Sequence, residues 1–133
     1  MKFISLAALC AIVLPFTTVS AREVKLPWPT QPKGVWVGRY NLENNNFSGE
    51  VWSRQMNCGN VPQPLIEVFW AKGEEWQETP IDAKRSWFDR QGNVWYNFNG
   101  LAPGATQFYV KLTCLDSVFY DPGNFVNYQI ELV

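Results

Sequence analysis

Gln107-Phe108-Tyr109-Val110-Lys111-Leu112-Thr113-Cys114 alternates without a break between polar and apolar positions. Phe108, Val110, Leu112 and Cys114 fall on one face. Gln107, Tyr109, Lys111 and Thr113 fall on the other. A two-residue period is that of a β-strand with one side on a core and one side in water. Tyr109 is thereby assigned to the polar side, although its ring is large and mostly apolar.

The same pattern extends outward from this strand, which is predicted over residues 106–114. Further strands are predicted over 35–42, 47–55, 65–70, 93–98 and 125–132, with a short one inside 79–88. Gly, Pro, Asn and Asp mark the breaks between them, and Pro62-Gln63-Pro64 interrupts pairing just before the third strand. In 93–98 the inward set is Val94, Tyr96 and Phe98, which leaves Trp95 outside with Asn93 and Asn97. In 125–132 the alternation directs Val126, Tyr128, Ile130 and Leu132 inward. No stretch carries a helical period of useful length. The fold class expected is all-β: an antiparallel, immunoglobulin-like β-sandwich of seven or eight strands.

The chain opens with Lys2, an apolar run from Phe3 to Phe16, and the small-residue sequence Val19-Ser20-Ala21. These are the parts of a cleaved signal peptide. The expected organisation is a signal over 1–21, an extended leader over 22–34 holding Pro27, Pro29 and Pro32, and one domain over 35–133. The expected location is extracellular. Formal net charge is −1 at pH 7, so nothing favours nucleic acid or anionic lipid as a partner. Loss of Cys10 with the signal leaves Cys58 and Cys114, an even pair that is expected to form a disulfide in an oxidising compartment. It would close a loop of about 57 residues, worth up to roughly 4 kcal/mol. Asn46-Phe47-Ser48 is a sequon for N-linked glycosylation at Asn46.

The chain has no histidine. That removes Ser-His-Asp and Cys-His nucleophile systems and the usual zinc and copper sites. Carboxylate pairs remain available for glycoside hydrolysis, but none of the 12 acidic residues stands out as half of a pair. Neither a metal nor another cofactor is expected, and the reading is of a protein that is not an enzyme.

Aromatic residues are the unusual feature: 7 Trp, 5 Tyr and 9 Phe. Most must fill the core of so small a sandwich. Three are set apart by their surroundings. Tyr109 lies on a polar strand face. Trp76 follows the polar stretch Lys72-Gly73-Glu74-Glu75, and Tyr120 opens the turn-forming Tyr120-Asp121-Pro122-Gly123-Asn124. Each could fold back as a loop plug. Each could also present a flat ring to the C–H face of a pyranose, with Lys111, Asp121, Asn124 and Asn127 as hydrogen-bonding partners or simply as turn and surface residues.

Phe47-Ser48-Gly49-Glu50-Val51, the strand and loop ending at Trp76, Phe108-Tyr109-Val110-Lys111, Tyr120-Asp121 and Asn127-Tyr128-Gln129 together resemble the family 21 carbohydrate-binding modules. These are the starch-binding domains at the N-terminus of some fungal glucoamylases. The resemblance covers residues 35–133 and implies binding of α-linked glucan. The family's principal site is one Trp and two Tyr, which fall on Trp76, Tyr109 and Tyr120. Two asparagines that usually follow the Tyr-Asp pair are replaced here by Pro122-Gly123. Positions of a second family site fall near Cys58, Arg85 and Asn93, none aromatic, with Trp87 and Phe88 close by.

Three functions therefore compete. The first is a free-standing, monomeric module that binds starch, glycogen or maltooligosaccharides. The second is an exported interaction protein that reuses the fold to hold a protein partner or mask glucan. The third, a small hydrolase, has the least behind it.

Overall fold

A computed structural model of the protein describes residues 23–29, 34–54, 58, 64–115, 117–124 and 126–130. The described residues form two antiparallel sheets without a helix. The first sheet runs β1 (Val24–Lys25), β2 (Val35–Glu43), β3 (Asn46–Arg54), β8 (Asn93–Leu101), β7 (Lys84–Phe88) in spatial order. The second runs β10 (Val118–Asp121), β9 (Gln107–Thr113), β4 (Leu65–Lys72), β5 (Glu75–Trp76), with β11 (Tyr128–Gln129) also on β9 and β6 (Ile81–Asp82) also on β4.

The core forms between the inner faces of the two sheets, with Phe108, Val110 and Leu112 lying inward as their alternation predicts. Val35, Val37, Tyr40, Leu42, Phe47 and Val51 of the first sheet meet Ile66, Val68, Phe108, Val110 and Leu112 of the second. Phe47, Phe98, Phe108 and Tyr40 interlock edge to face, with centroids 4.8–6.4 Å apart, the geometry that aromatic quadrupoles favour. Gly49 lies under this cluster. A Cβ there would collide with the Arg39 carbonyl and the Phe98 ring, so the close approach of β2, β3 and β8 requires glycine at this position.

β2 and β3 are joined by a two-residue turn, Asn44-Asn45, with both residues at positive φ (53° and 67°). That is the backbone a tight hairpin needs, and asparagine tolerates it. Asn46, the sequon residue, begins β3 directly after this turn and pairs with Leu101. Cys58 and Cys114 are joined in a disulfide, with Cα atoms 5.3 Å apart.

The strand count exceeds the expected seven or eight, because the two-residue strands β1 and β5 carry too little pattern to be read and the two-residue β6 is separate from β7. β10 was also missed. The segment 79–88 holds two strands, one in each sheet, so the chain crosses between layers at Ala83. Part of the extended leader is ordered by pairing, with Val24 opposite Tyr40 and Lys25 opposite Arg39. The last strand is far shorter than 125–132: only Tyr128–Gln129 joins the ladder. Val126, expected in the core, is 58% exposed because it precedes that pairing. The expected strand end at Gln55, together with Phe125 and Leu132, lies outside the described residues, as does the segment 1–21 expected to be a signal.

Candidate functional site

Tyr109 is central. It stands on the outer face of β9 between Gln107 and Lys111, opposite Phe69 of β4. The two rings are nearly parallel, 15° apart with centroids at 5.1 Å, so Phe69 supports Tyr109 along one side. Alternation within β4, where Ile66, Val68 and Trp70 are buried, also places Phe69 outside. The signal was present in the sequence, but Phe69 was not singled out.

Trp76 reaches the same face from β5. A two-residue turn with Gly73 at φ 63° folds β5 back on β4, pairing Trp76 with Ala71 and Glu75 with Lys72. The turn is held from β9: the Gly73 amide donates to Thr106 Oγ1 at 2.8 Å, and Gln107 Nε2 donates to the Gly73 carbonyl at 2.5 Å. Tyr120 arrives from the opposite side, on β10, directly across from Lys111. Both rings were expected on loops; pairing fixes them on strands instead.

Trp76 and Tyr120 flank Tyr109, with centroids 5.3 and 6.1 Å from it and planes tilted by 57° and 54°. The three rings line a hollow of about 580 Å³ with Pro122, Gly123, Asn124, Val126 and Asn127. Trp76 is 39% and Tyr120 51% exposed. Burial, and then the neighbouring Tyr120 and Glu67, hold the Tyr109 hydroxyl above the usual tyrosine range. It therefore keeps its proton and can donate a hydrogen bond.

The polar residues divide. Asn124, at φ 61°, and Asn127 line the hollow. Asn127 Nδ2 donates to Gln107 Oε1 at 3.0 Å, so Gln107 links the walls on either side of Tyr109. Gln107 had been read only as a member of the polar face. Lys111 lies in the adjacent row, between Tyr120 and Glu67, and does not line the hollow. Asp121 faces the other way. Its Oδ2 accepts from the Val37 amide at 2.7 Å and from the Tyr128 hydroxyl at 2.6 Å. This carboxylate, expected beside the sugar, ties β10 to the first sheet because the strand period turns it away from Tyr120. Burial raises its pKa against the lowering effect of these two bonds.

Among the described residues no carboxylate lines the hollow, and no group of three His, Cys, Asp or Glu could hold a metal ion. The site offers three ring surfaces, a tyrosine donor and two asparagine amides. Such a set can stack and hydrogen-bond a hydroxylated ring.

No protein-family profile and no curated protein matches the chain. Solved structures do match. The starch-binding domain of Rhizopus oryzae glucoamylase, solved in complex with beta-cyclodextrin and maltoheptaose, aligns with a TM-score of 0.68 at 22% identity, over 80% of this chain and 99% of that one. The fold is that of a family 21 carbohydrate-binding module. A circularly permuted family 21 module, solved to explain altered selectivity in carbohydrate binding, aligns with a TM-score of 0.56 at 19% identity, over 68% of this chain and 83% of that one. Identities this low establish a shared family 21 fold; they do not transfer a ligand.

Proposed function

We propose that this protein is an exported, monomeric, non-catalytic domain that binds α-1,4-linked glucan on the platform of Trp76, Tyr109 and Tyr120. The observation that carries the reading is that three partly open rings, delivered by three separate strands, converge on one hollow. Rings tilted by more than 50° to one another form a curved surface, suited to a bent α-glucan more than to a flat chain. Stacking removes the C–H faces of glucose from water, and Asn124, Asn127 and the Tyr109 hydroxyl are available to the equatorial hydroxyls. The family 21 fold supports the same ligand class, since the glucoamylase domain was solved with maltoheptaose. The signal sequence over 1–21 supports export.

Sedimentation with insoluble starch, followed by titration with maltoheptaose, tests this. Retention on starch that is lost in Trp76→Ala is the expected result. Absence of retention, or equal retention by that variant, would overturn it.

A further inference from the structure

Trp76 contributes to two hollows. Beside the platform lies a second, of about 600 Å³, bounded by Trp76, Gln77, Glu78, Pro80, Ile81 and Leu101 among others. It sits along the connection from β5 to β6, beside the end of β8. Its volume is close to that of the platform hollow and within the range of ordinary ligand pockets. Leu101, at the end of β8, is 74% exposed, an uncovered apolar side chain on the rim of the hollow. The segment that frames the hollow is fixed, with the Gln77 amide donating to the Trp70 carbonyl at 3.1 Å and Gln77 Nε2 to the Glu75 carbonyl at 3.2 Å. Ile81 packs closely on Gly100, where a Cβ would come within 3.0 Å of its side chain, so the two sheets are in contact beneath it.

We infer that the glucan site continues past Trp76 into this second hollow, with Leu101 as an apolar contact and Gln77 and Glu78 as hydroxyl partners. The inference rests on the glucan-binding reading and adds a length requirement to it. The platform alone holds a short oligosaccharide. A longer chain crosses Trp76 and also covers Leu101. The occupant is the same polysaccharide, because Trp76 makes the two surfaces continuous.

The experiment compares maltotriose with maltoheptaose by calorimetric titration of wild type, Leu101→Ala and the double variant Gln77→Ala/Leu101→Ala. Protein freed of N-linked sugar is used, since Asn46 pairs with Leu101 across the first sheet. Wild type is expected to bind maltoheptaose about 5- to 30-fold more tightly than maltotriose, equivalent to roughly 1–2 kcal/mol. The double variant is expected to lose most of that ratio while its maltotriose affinity stays within about twofold, with Leu101→Ala in between. An unchanged ratio in the double variant overturns the extension and leaves the platform intact. So does a wild type that binds both sugars equally. A wild type that binds neither overturns the platform and the extension together.

Discussion

The two sheets carry two aromatic clusters of opposite design. On the first sheet, Trp36, Trp52, Trp95 and Trp87 stand directly opposite one another across β2, β3, β8 and β7. Successive rings lie 4.6, 5.9 and 5.5 Å apart at 35°, 25° and 12°. Trp28 from the leader packs edge-on against Trp52 and Trp95, and the Arg54 guanidinium covers Trp36 and Trp52 at 5.0 and 5.7 Å. The ring faces are spent on each other, so Trp52 is only 3% exposed although it points away from the core. On the second sheet Trp76, Tyr109 and Tyr120 are tilted apart, and their faces open into a hollow. A ring serves a ligand when its face is free, whichever side of the sheet it occupies. The ladder stabilises the fold; the platform is available for binding.

The sharpest break of this contrast is a pair of truncations. Trp52→Ala opens a cavity inside the ladder and removes two stacking partners and a cation–π contact. It should destabilise by about 3–5 kcal/mol, read as a lower urea midpoint, with glucan affinity retained under folding conditions. Trp76→Ala should do the reverse. Binding of maltoheptaose weakens by roughly 1–3 kcal/mol while stability changes little, because the ring is already partly in water. Tyr120→Ala should follow Trp76→Ala. If Trp76→Ala unfolds the domain, the platform is a structural cluster and the contrast collapses.

Trp87 sharpens the comparison, since it ends the ladder with one face stacked on Trp95 and 48% of its surface exposed. Trp87→Ala should cost only about 1 kcal/mol in stability, the value of one surface stacking pair. Maltoheptaose affinity should be unchanged. Weakened binding in that variant would show that the open end of the ladder also meets sugar.

Alternation in Gln107–Thr113 was enough to assign the inner face of β9 and the outward Tyr109, because a seven-residue strand repeats its period several times. β5 pairs over two residues, too few to show any period, so Trp76 was placed by loop composition alone, whereas Val126 was placed by an alternation over 125–132 of which only Tyr128–Gln129 pairs. The composition argument was right to leave Trp76 exposed, and the alternation was wrong to bury Val126. Asp121 was misread for a related reason. Unless β10 is known to be a strand, nothing indicates that Asp121 and Tyr120 point to opposite sides. The ladder was legible only in part. Trp95 follows from alternation, but its partners depend on the registers Trp36 to Trp52 and Trp52 to Trp95, and register is a property of paired strands that one strand's sequence does not contain.

The smallest effect separates the two regions by acid titration. Asp89 serves the ladder: its Oδ2 accepts from Trp95 Nε1 at 3.0 Å and Asn93 Nδ2 at 2.9 Å, and its Oδ1 from the Gln91 and Asn93 amides. Burial acts to raise its pKa, but these bonds together outweigh it and hold the group below the ordinary 3.8. Asp121 anchors β10, the strand that carries Tyr120, to the first sheet, and burial there outweighs its two bonds, so its pKa lies above 3.8. Near pH 4 the folded state therefore carries less proton on Asp89 than the unfolded chain does, and more on Asp121. The Asp89 contribution is present above 3.8 and is lost as pH falls through its lowered folded value. The Asp121 contribution has the other sign: stability declines as pH rises from 3.8 through its raised folded value. Urea midpoints measured from pH 3 to 7 should therefore respond oppositely to two conservative variants. Asp89→Asn should flatten the rise of stability with pH, and Asp121→Asn should steepen it, since asparagine removes each term without removing the acceptor oxygen. Slopes that move in the same direction in both variants would mean that the two carboxylates share one environment, and the separation of ladder from platform would fail at its smallest scale.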